Sequence, residues 1–167
     1  FENINFEEAW QLNERHYGAL TGLNKDEMKK KLGEKKIHEF RRSWSLKPEN
    51  LDKNSAYHPL NIKKYRNVPK ENIPNSESLE DTYNRVIPYF ESKILRLLKL
   101  NKNILIAAHG NSIRALCKYL LKISNEDISS LEIPTGNPLV INFDTSLKVI
   151  KAKYLDEARA KKLLFTN

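Results

Sequence analysis

The sequence has a single cysteine, Cys117, among 167 residues, so no disulfide can form within the chain. That cysteine sits with Ile113, Leu116, Leu120 and Leu121 at helical spacing, which reads as a buried thiol rather than a reactive one. No apolar run approaches the length of a membrane span, and the opening Phe1-Glu2-Asn3-Ile4 lacks the basic and apolar regions of a secretory leader. A soluble, cytoplasmic protein without a membrane partner is expected. No pair among the four histidines has metal-ligand spacing, and there is neither an internal repeat nor a low-complexity tract.

What is present fits one domain, residues 1–167, with 40% hydrophobic residues to build a core. The net charge of +8, from 29 basic and 21 acidic residues, favours anionic partners. Charge alone leaves nucleic acid, membrane surface and small phosphate esters open. The basic residues are scattered rather than gathered into a stripe, and neither an RNA-recognition strand motif nor zinc-finger spacing occurs, so no nucleic-acid partner is expected.

Residues 24–33 read as a short capped helix, with Asn24 as cap, Glu27 three residues on and Gly33 in a left-handed terminus. A second helix is expected over 35–42. The stretch 46–74 carries Pro48, Pro59, Pro69 and Pro74 with no sustained period and reads as a long functional loop or lid. Helical spacing resumes over 78–100, with a kink expected at Pro88. The run Asn103-Ile104-Leu105-Ile106-Ala107-Ala108 predicts a strand buried on both faces, residues 113–121 a helix, Ser124 with Asp127 another short helix, and 139–143 and 149–154 two more strands. Helices interleaved with strands argue for an α/β fold with a largely parallel sheet.

Ligands in such sheets bind outside the carboxyl ends of strands, where His109-Gly110-Asn111-Ser112 stands. Gly110 permits a tight turn, and Asn111 or Ser112 can cap a helix whose free N–H groups suit an anion. From this pattern, His109 is either a phosphate ligand or a histidine that merely closes the strand. Arg41-Arg42 reads alone as surface charge or as a bidentate anion clamp, and Glu14 beside Arg15 as a surface ion pair or a site carboxylate.

Four ordered motifs narrow these choices. The segment Leu12-Asn13-Glu14-Arg15-His16-Tyr17-Gly18-Ala19-Leu20-Thr21-Gly22-Leu23-Asn24-Lys25 closely resembles a signature of the 2,3-bisphosphoglycerate-dependent phosphoglycerate mutases of the histidine phosphatase superfamily. Arg41-Arg42-Ser43, Ala107 to Leu116 and Ile133 to Leu139 resemble that family's other motifs in the same order. The resemblance implies a three-layer α/β/α sandwich and interconversion of 3- and 2-phosphoglycerate through a phosphohistidine, with 2,3-bisphosphoglycerate as primer and no metal. It implies Glu14 as proton donor and acceptor and His109 as the second active-site histidine. Arg15, His16, Tyr17, Lys25, Arg41, Arg42, Gly110 and Asn111 would hold substrates, which are small phosphorylated three-carbon acids. A homodimer or homotetramer is expected on the same ground.

The family's nucleophile lies in an Arg-His-Gly motif on its first strand, and no such motif occurs in these residues. The chain therefore reads as the C-terminal portion of the fold, with the first strand and following elements missing, and is expected to be inactive alone. Gln11 replaces an arginine of the signature and Thr21 a common glutamine. His38 and His58 match no site motif and are expected in surface or structural roles. The alternatives are bisphosphoglycerate mutase or phosphatase action in the same pocket, and a non-catalytic remnant serving as a binding module.

Overall fold

The computed structural model describes residues 4–160, apart from the side chains of Lys25 and Lys31. Asn24 starts helix α1 (Lys25–Leu32) because its Oδ1 accepts the Asp26 and Glu27 backbone N–H groups, and Gly33, at φ +83°, ends it. Helix α2 (Glu34–Arg42) follows at once and carries Arg41 and Arg42 in its last turn. Just beyond, the Trp44 carbonyl accepts the Glu80 N–H at 3.0 Å, and the Trp44 ring stands edge-on to Tyr83 at 5.4 Å. These contacts fix the arginine end of α2 against the next helix.

That helix, α3 (Leu79–Tyr89), opens on a reciprocal cap. Ser78 Oγ accepts the Asp81 N–H while the Asp81 carboxylate accepts the Ser78 N–H. Pro88 has no N–H to give, and the deformation is absorbed as a π turn at Phe90–Ile94 before α4 (Leu95–Lys99). The disturbance expected at Pro88 is therefore a widened turn just after it.

Helix α5 (Gly110–Leu120) packs on α3, and Ala115, Leu116 and Cys117 meet Leu79, Val86, Ile87, Phe90 and Ile94. Ile123, Ile128 and Leu131 close the same cluster. Each leucine, isoleucine, valine and phenylalanine among them contributes about 1.5–3 kcal/mol by leaving water. Burial pushes the Cys117 thiol up to about 12, which makes it an inert core residue as its spacing predicts.

The mixed helix-and-sheet, α/β class agrees with the sequence reading, whereas the sheet itself differs. Among the described residues it consists of β1 (Leu139–Phe143) and β2 (Val149–Tyr154), paired antiparallel with Leu139 opposite Tyr154 and a bulge at Asn142/Phe143. No parallel pair occurs among these residues. The run 103–108 is not a strand: Ile104 and Ile106 are half-buried, but Leu105 is 91% exposed. A strand sunk in a sheet needs neighbours at both edges and cover on both faces, and the described residues cover one face only.

The stretch 46–74 forms short 3-10 turns at Pro59–Asn61, Lys63–Tyr65 and Lys70–Asn72. His58 is its anchor, fully buried, with Nδ1 accepting the Leu60 N–H and Nε2 3.0 Å from Asn75 Oδ1. That structural role matches expectation, and His38 is exposed on α2. Among the described residues no helix is long and apolar enough to cross a membrane.

Candidate active site

The segment carrying Glu14 has no ladder of its own and is held by other elements. Arg85, from α3, donates to the carbonyls of Gln11 at 2.6 Å, Asn13 at 2.9 Å and Glu14 at 3.2 Å. The same guanidinium pairs with Glu77 at 2.7 Å, and Glu77 accepts the His16 backbone N–H at 2.8 Å. On the other side Ser112 Oγ donates to the Asn13 carbonyl at 2.6 Å. Gly18 lets the chain turn at φ +56° with the Glu49 carbonyl so near that an added Cβ would lie 2.1 Å from it.

These restraints place the Glu14 side chain at the mouth of a cavity of about 250 Å³. Glu14 Oε1 accepts from its neighbour's backbone N–H (Arg15, 2.8 Å) and from Asn111 Nδ2 at 2.7 Å. Its Oε2 lies 4.0 Å from His109 Nδ1. Arg41 and Arg42 reach the cavity from the end of α2, and Gly110, Asn111 and Arg114 from the first turns of α5. The N–H groups of that first helical turn lack intrahelical carbonyl partners, which adds partial positive charge.

Three guanidiniums thus face two carboxylates, Glu14 and Glu132. Arg114 is the most buried of the three: Nη1 donates to Asn111 Oδ1 at 2.9 Å, Nη2 to the Arg42 and Ile128 carbonyls, and Nε has no partner. Burial lowers its pKa to about 10, and the neighbouring Arg42 and Arg15 charges push the same way. The group stays charged at neutral pH in a place short of negative charge. A phosphate or carboxylate would relieve this.

Of the residues expected from sequence, the cavity lining brings together Glu14, Tyr17, Arg41, Arg42, Gly110 and Asn111. His109 caps α5 and stands at the rim with its side chain 71% exposed. The Lys25 side chain lies outside the described residues, although its backbone begins α1.

Arg15 and His16 do not line this cavity. Arg15 is 2% exposed, donates to the Phe40 carbonyl and lies 4.7 Å behind the Tyr17 ring, where burial lowers its pKa. His16 turns toward His58, ring to ring at 6.0 Å, and its Nδ1 accepts the Gly18 N–H at 3.0 Å. The irregular segment turns these two consecutive side chains inward, while Glu14 and Tyr17 on either side of them face the cavity.

Two further expectations are corrected here. Asn111 and Ser112 do not cap α5, because the Glu14, Tyr17 and Asn13 oxygens engage their polar atoms, and His109 takes the cap position with no side-chain bond. The stretch 46–74 contributes no residue to the cavity lining, so it is not a lid in this structure. Among the described residues, no group of three or more metal-ligating side chains comes together.

Sequence reasoning missed Arg85, Glu77, Arg114 and Glu132. Arg114 left a trace: it lies three and seven positions before Cys117 and Leu121, on a face that otherwise reads as apolar core. Arg85 holds the carbonyls of residues 11, 13 and 14, Glu77 the His16 N–H and Glu132 the Arg42 guanidinium, all across more than sixty positions that no local spacing announces.

A mixed α/β chain with an anchored carboxylate facing clustered guanidiniums defines an anion-handling site. Residues 50–155 match the histidine phosphatase superfamily (branch 1), and the chain belongs to that superfamily. It is similar to the 2,3-bisphosphoglycerate-dependent phosphoglycerate mutase of Pelagibacter ubique (strain HTCC1062), 65% identical over 93% of this chain and 66% of that protein. The proteins of the same name from Buchnera aphidicola subsp. Cinara cedri (strain Cc) and Maricaulis maris (strain MCS10) are 54% and 47% identical, over 88% and 96% of this chain and 64% and 66% of their own lengths. The chain therefore spans just under two thirds of the length of these curated relatives.

Proposed function

We infer that the protein carrying this chain interconverts 3-phosphoglycerate and 2-phosphoglycerate in the cytoplasm, as a 2,3-bisphosphoglycerate-dependent mutase working through a phosphohistidine. The observation that carries this reading is the Glu14 carboxylate. It is pinned through Oε1 and set at a cavity lined by Arg41, Arg42 and Arg114.

The substrate offers a phosphate, a carboxylate and a free hydroxyl. Arg41 and Arg42 can hold the two anionic groups bidentately, and Arg114 supports them electrostatically from below. Glu14 Oε2 takes the hydroxyl proton as that oxygen accepts a phosphoryl group, and returns it when the other oxygen is freed. His109 at the rim donates an N–H to a phosphoryl oxygen, with Gly110 and Asn111 beside it. Tyr17 lends its hydroxyl, and Lys25 is assigned to the substrate on the resemblance of its motif. Arg15 and His16 serve behind the cavity as support.

The bisphosphate primer fits this charge balance, since the cavity lining carries Arg41, Arg42 and Arg114 against Glu14 and Glu132. When bound, it supplies the phosphoryl group that loads the carrier histidine. No Arg-His-Gly motif occurs in these 167 residues, so the reading requires that histidine from elsewhere in the complete protein. These residues alone would hold substrate without turning it over.

The test is a coupled assay of 3- to 2-phosphoglycerate conversion by the complete gene product, with and without added 2,3-bisphosphoglycerate. Primer-stimulated turnover is expected. A folded, complete protein containing Arg-His-Gly that gives no turnover contradicts the reading.

A further inference from the structure

One charged cavity residue has no part in the chemistry above. Glu132 lies at the cavity wall, next to Ile133, and its Oε1 is 3.2 Å from Arg42 Nη2. Arg42 Nη1 meanwhile donates to the Leu131 carbonyl at 3.3 Å. Both terminal nitrogens of a substrate-facing guanidinium are thus engaged by the protein itself.

The two cavity carboxylates are held differently. Glu14 accepts from neutral donors at 2.7 and 2.8 Å and touches no cavity guanidinium. Glu132 has its oxygen on a guanidinium at a distance longer than the 2.7–2.9 Å usual for a charge-assisted bond. Both partners are about one-third exposed, so the pair is screened and loosely made. A phosphate or carboxylate arriving at Arg42 offers shorter bonds to the same nitrogen. It must also enter beside a fixed negative charge.

Resting on the mutase reading of the cavity, we propose that Glu132 is an affinity-setting residue: its carboxylate pairs with Arg42 and competes with the anionic substrate for that guanidinium. Removing that charge frees Arg42 and removes a like-charge neighbour of the ligand. Arg42 would keep its place, because the Leu131 carbonyl still holds Nη1 and Arg114 still holds the Arg42 carbonyl at 3.2 Å. Glu132 therefore loosens the ground-state grip on substrate and product, which favours release.

The experiment is a calorimetric titration of the protein carrying this chain with 3-phosphoglycerate and, separately, inorganic phosphate, at low ionic strength. Wild type, Glu132→Gln, Glu132→Ala, Arg42→Gln and the Glu132→Gln/Arg42→Gln double variant are compared. Both Glu132 variants should bind 3-phosphoglycerate about three- to tenfold more tightly than wild type. The gain should shrink to less than about twofold in the Arg42→Gln background, a dependence that a general structural role would not produce. Affinity equal to or weaker than wild type in both Glu132 variants overturns the proposal and leaves the pocket reading standing. A gain of the same size without Arg42 also overturns it. Failure of every protein, wild type included, to bind either anion overturns this proposal and the mutase reading together.

Discussion

Glu77 and Arg85 form a buried ion pair, 2.7 Å from carboxylate to guanidinium, and through it the carbonyls of residues 11, 13 and 14 are tied to helix α3. The proton-handling carboxylate thus owes its position to an arginine more than seventy residues away in sequence. Arg85→Ala leaves Glu77 buried without its counter-charge and frees three carbonyls. Unfolding in urea should show a loss of about 3–5 kcal/mol. Glu77→Gln keeps an acceptor for the His16 N–H and for Arg85 and should lose less. Equal losses would mean that the carbonyl grip contributes little.

Gly18 and Gly110 should respond oppositely to alanine. At Gly18 the new methyl carbon would meet the Glu49 carbonyl at 2.1 Å and Ser76 Oγ at 2.7 Å, from a backbone at φ +56°. A cost above about 2 kcal/mol is expected in thermal or urea unfolding. At Gly110 nothing lies within 4 Å, so Gly110→Ala should stay within about 0.5 kcal/mol of wild type.

Acid should weaken the fold through His16. Burial lowers its pKa from 6.5, against an opposing pull from Glu77, and the His58 ring adds to the lowering. The unfolded chain then takes up the proton first, so the stability from neutral His16 is complete above pH 6.5 and lost as pH falls below it, down to the folded-state value. The slope from one group cannot exceed about 1.4 kcal/mol per pH unit. His16→Asn, whose side-chain oxygen can still accept the Gly18 N–H, should flatten the decline between pH 7 and 5. Asp81 acts in a separate window. Burial would raise its pKa, but the Ser78 N–H and Lys47 bonds outweigh this and hold it below 3.8, so its contribution is present above 3.8 and disappears as pH falls further.

Glu14→Gln can keep the Oε1 bonds to the Arg15 N–H and Asn111 while losing the proton acceptor. In the complete protein, turnover should fall by roughly 10²-fold or more with little change in substrate affinity. An unchanged rate, measured by the coupled assay, would remove Glu14 from its assigned role.

Much of this was legible in sequence because it is local. Asn24 and Gly33 bracket α1 by capping chemistry, and 139–143 and 149–154 read as strands, although their antiparallel pairing was not legible. The cavity residues Glu14, Tyr17, Arg41, Arg42, Gly110 and Asn111 were reached through motifs. The inward turn of Arg15 and His16 was not, since an irregular segment has no period to assign its faces. The expected strand at 103–108 failed for a different reason. Apolar composition predicts burial, but burial needs partners, and Leu105 has none covering it among the described residues. Arg85 and Glu132 exert their effects across folds of the chain that only three dimensions bring together.

The most direct test of the central claim is a crystal structure of the protein carrying this chain with 3-phosphoglycerate bound. The phosphate and carboxylate should lie within hydrogen-bond reach of Arg41 and Arg42, with the free hydroxyl about 3 Å from Glu14 Oε2. A ligand seated instead on the surface lysines of the hairpin, or with its hydroxyl turned away from Glu14, would contradict the account.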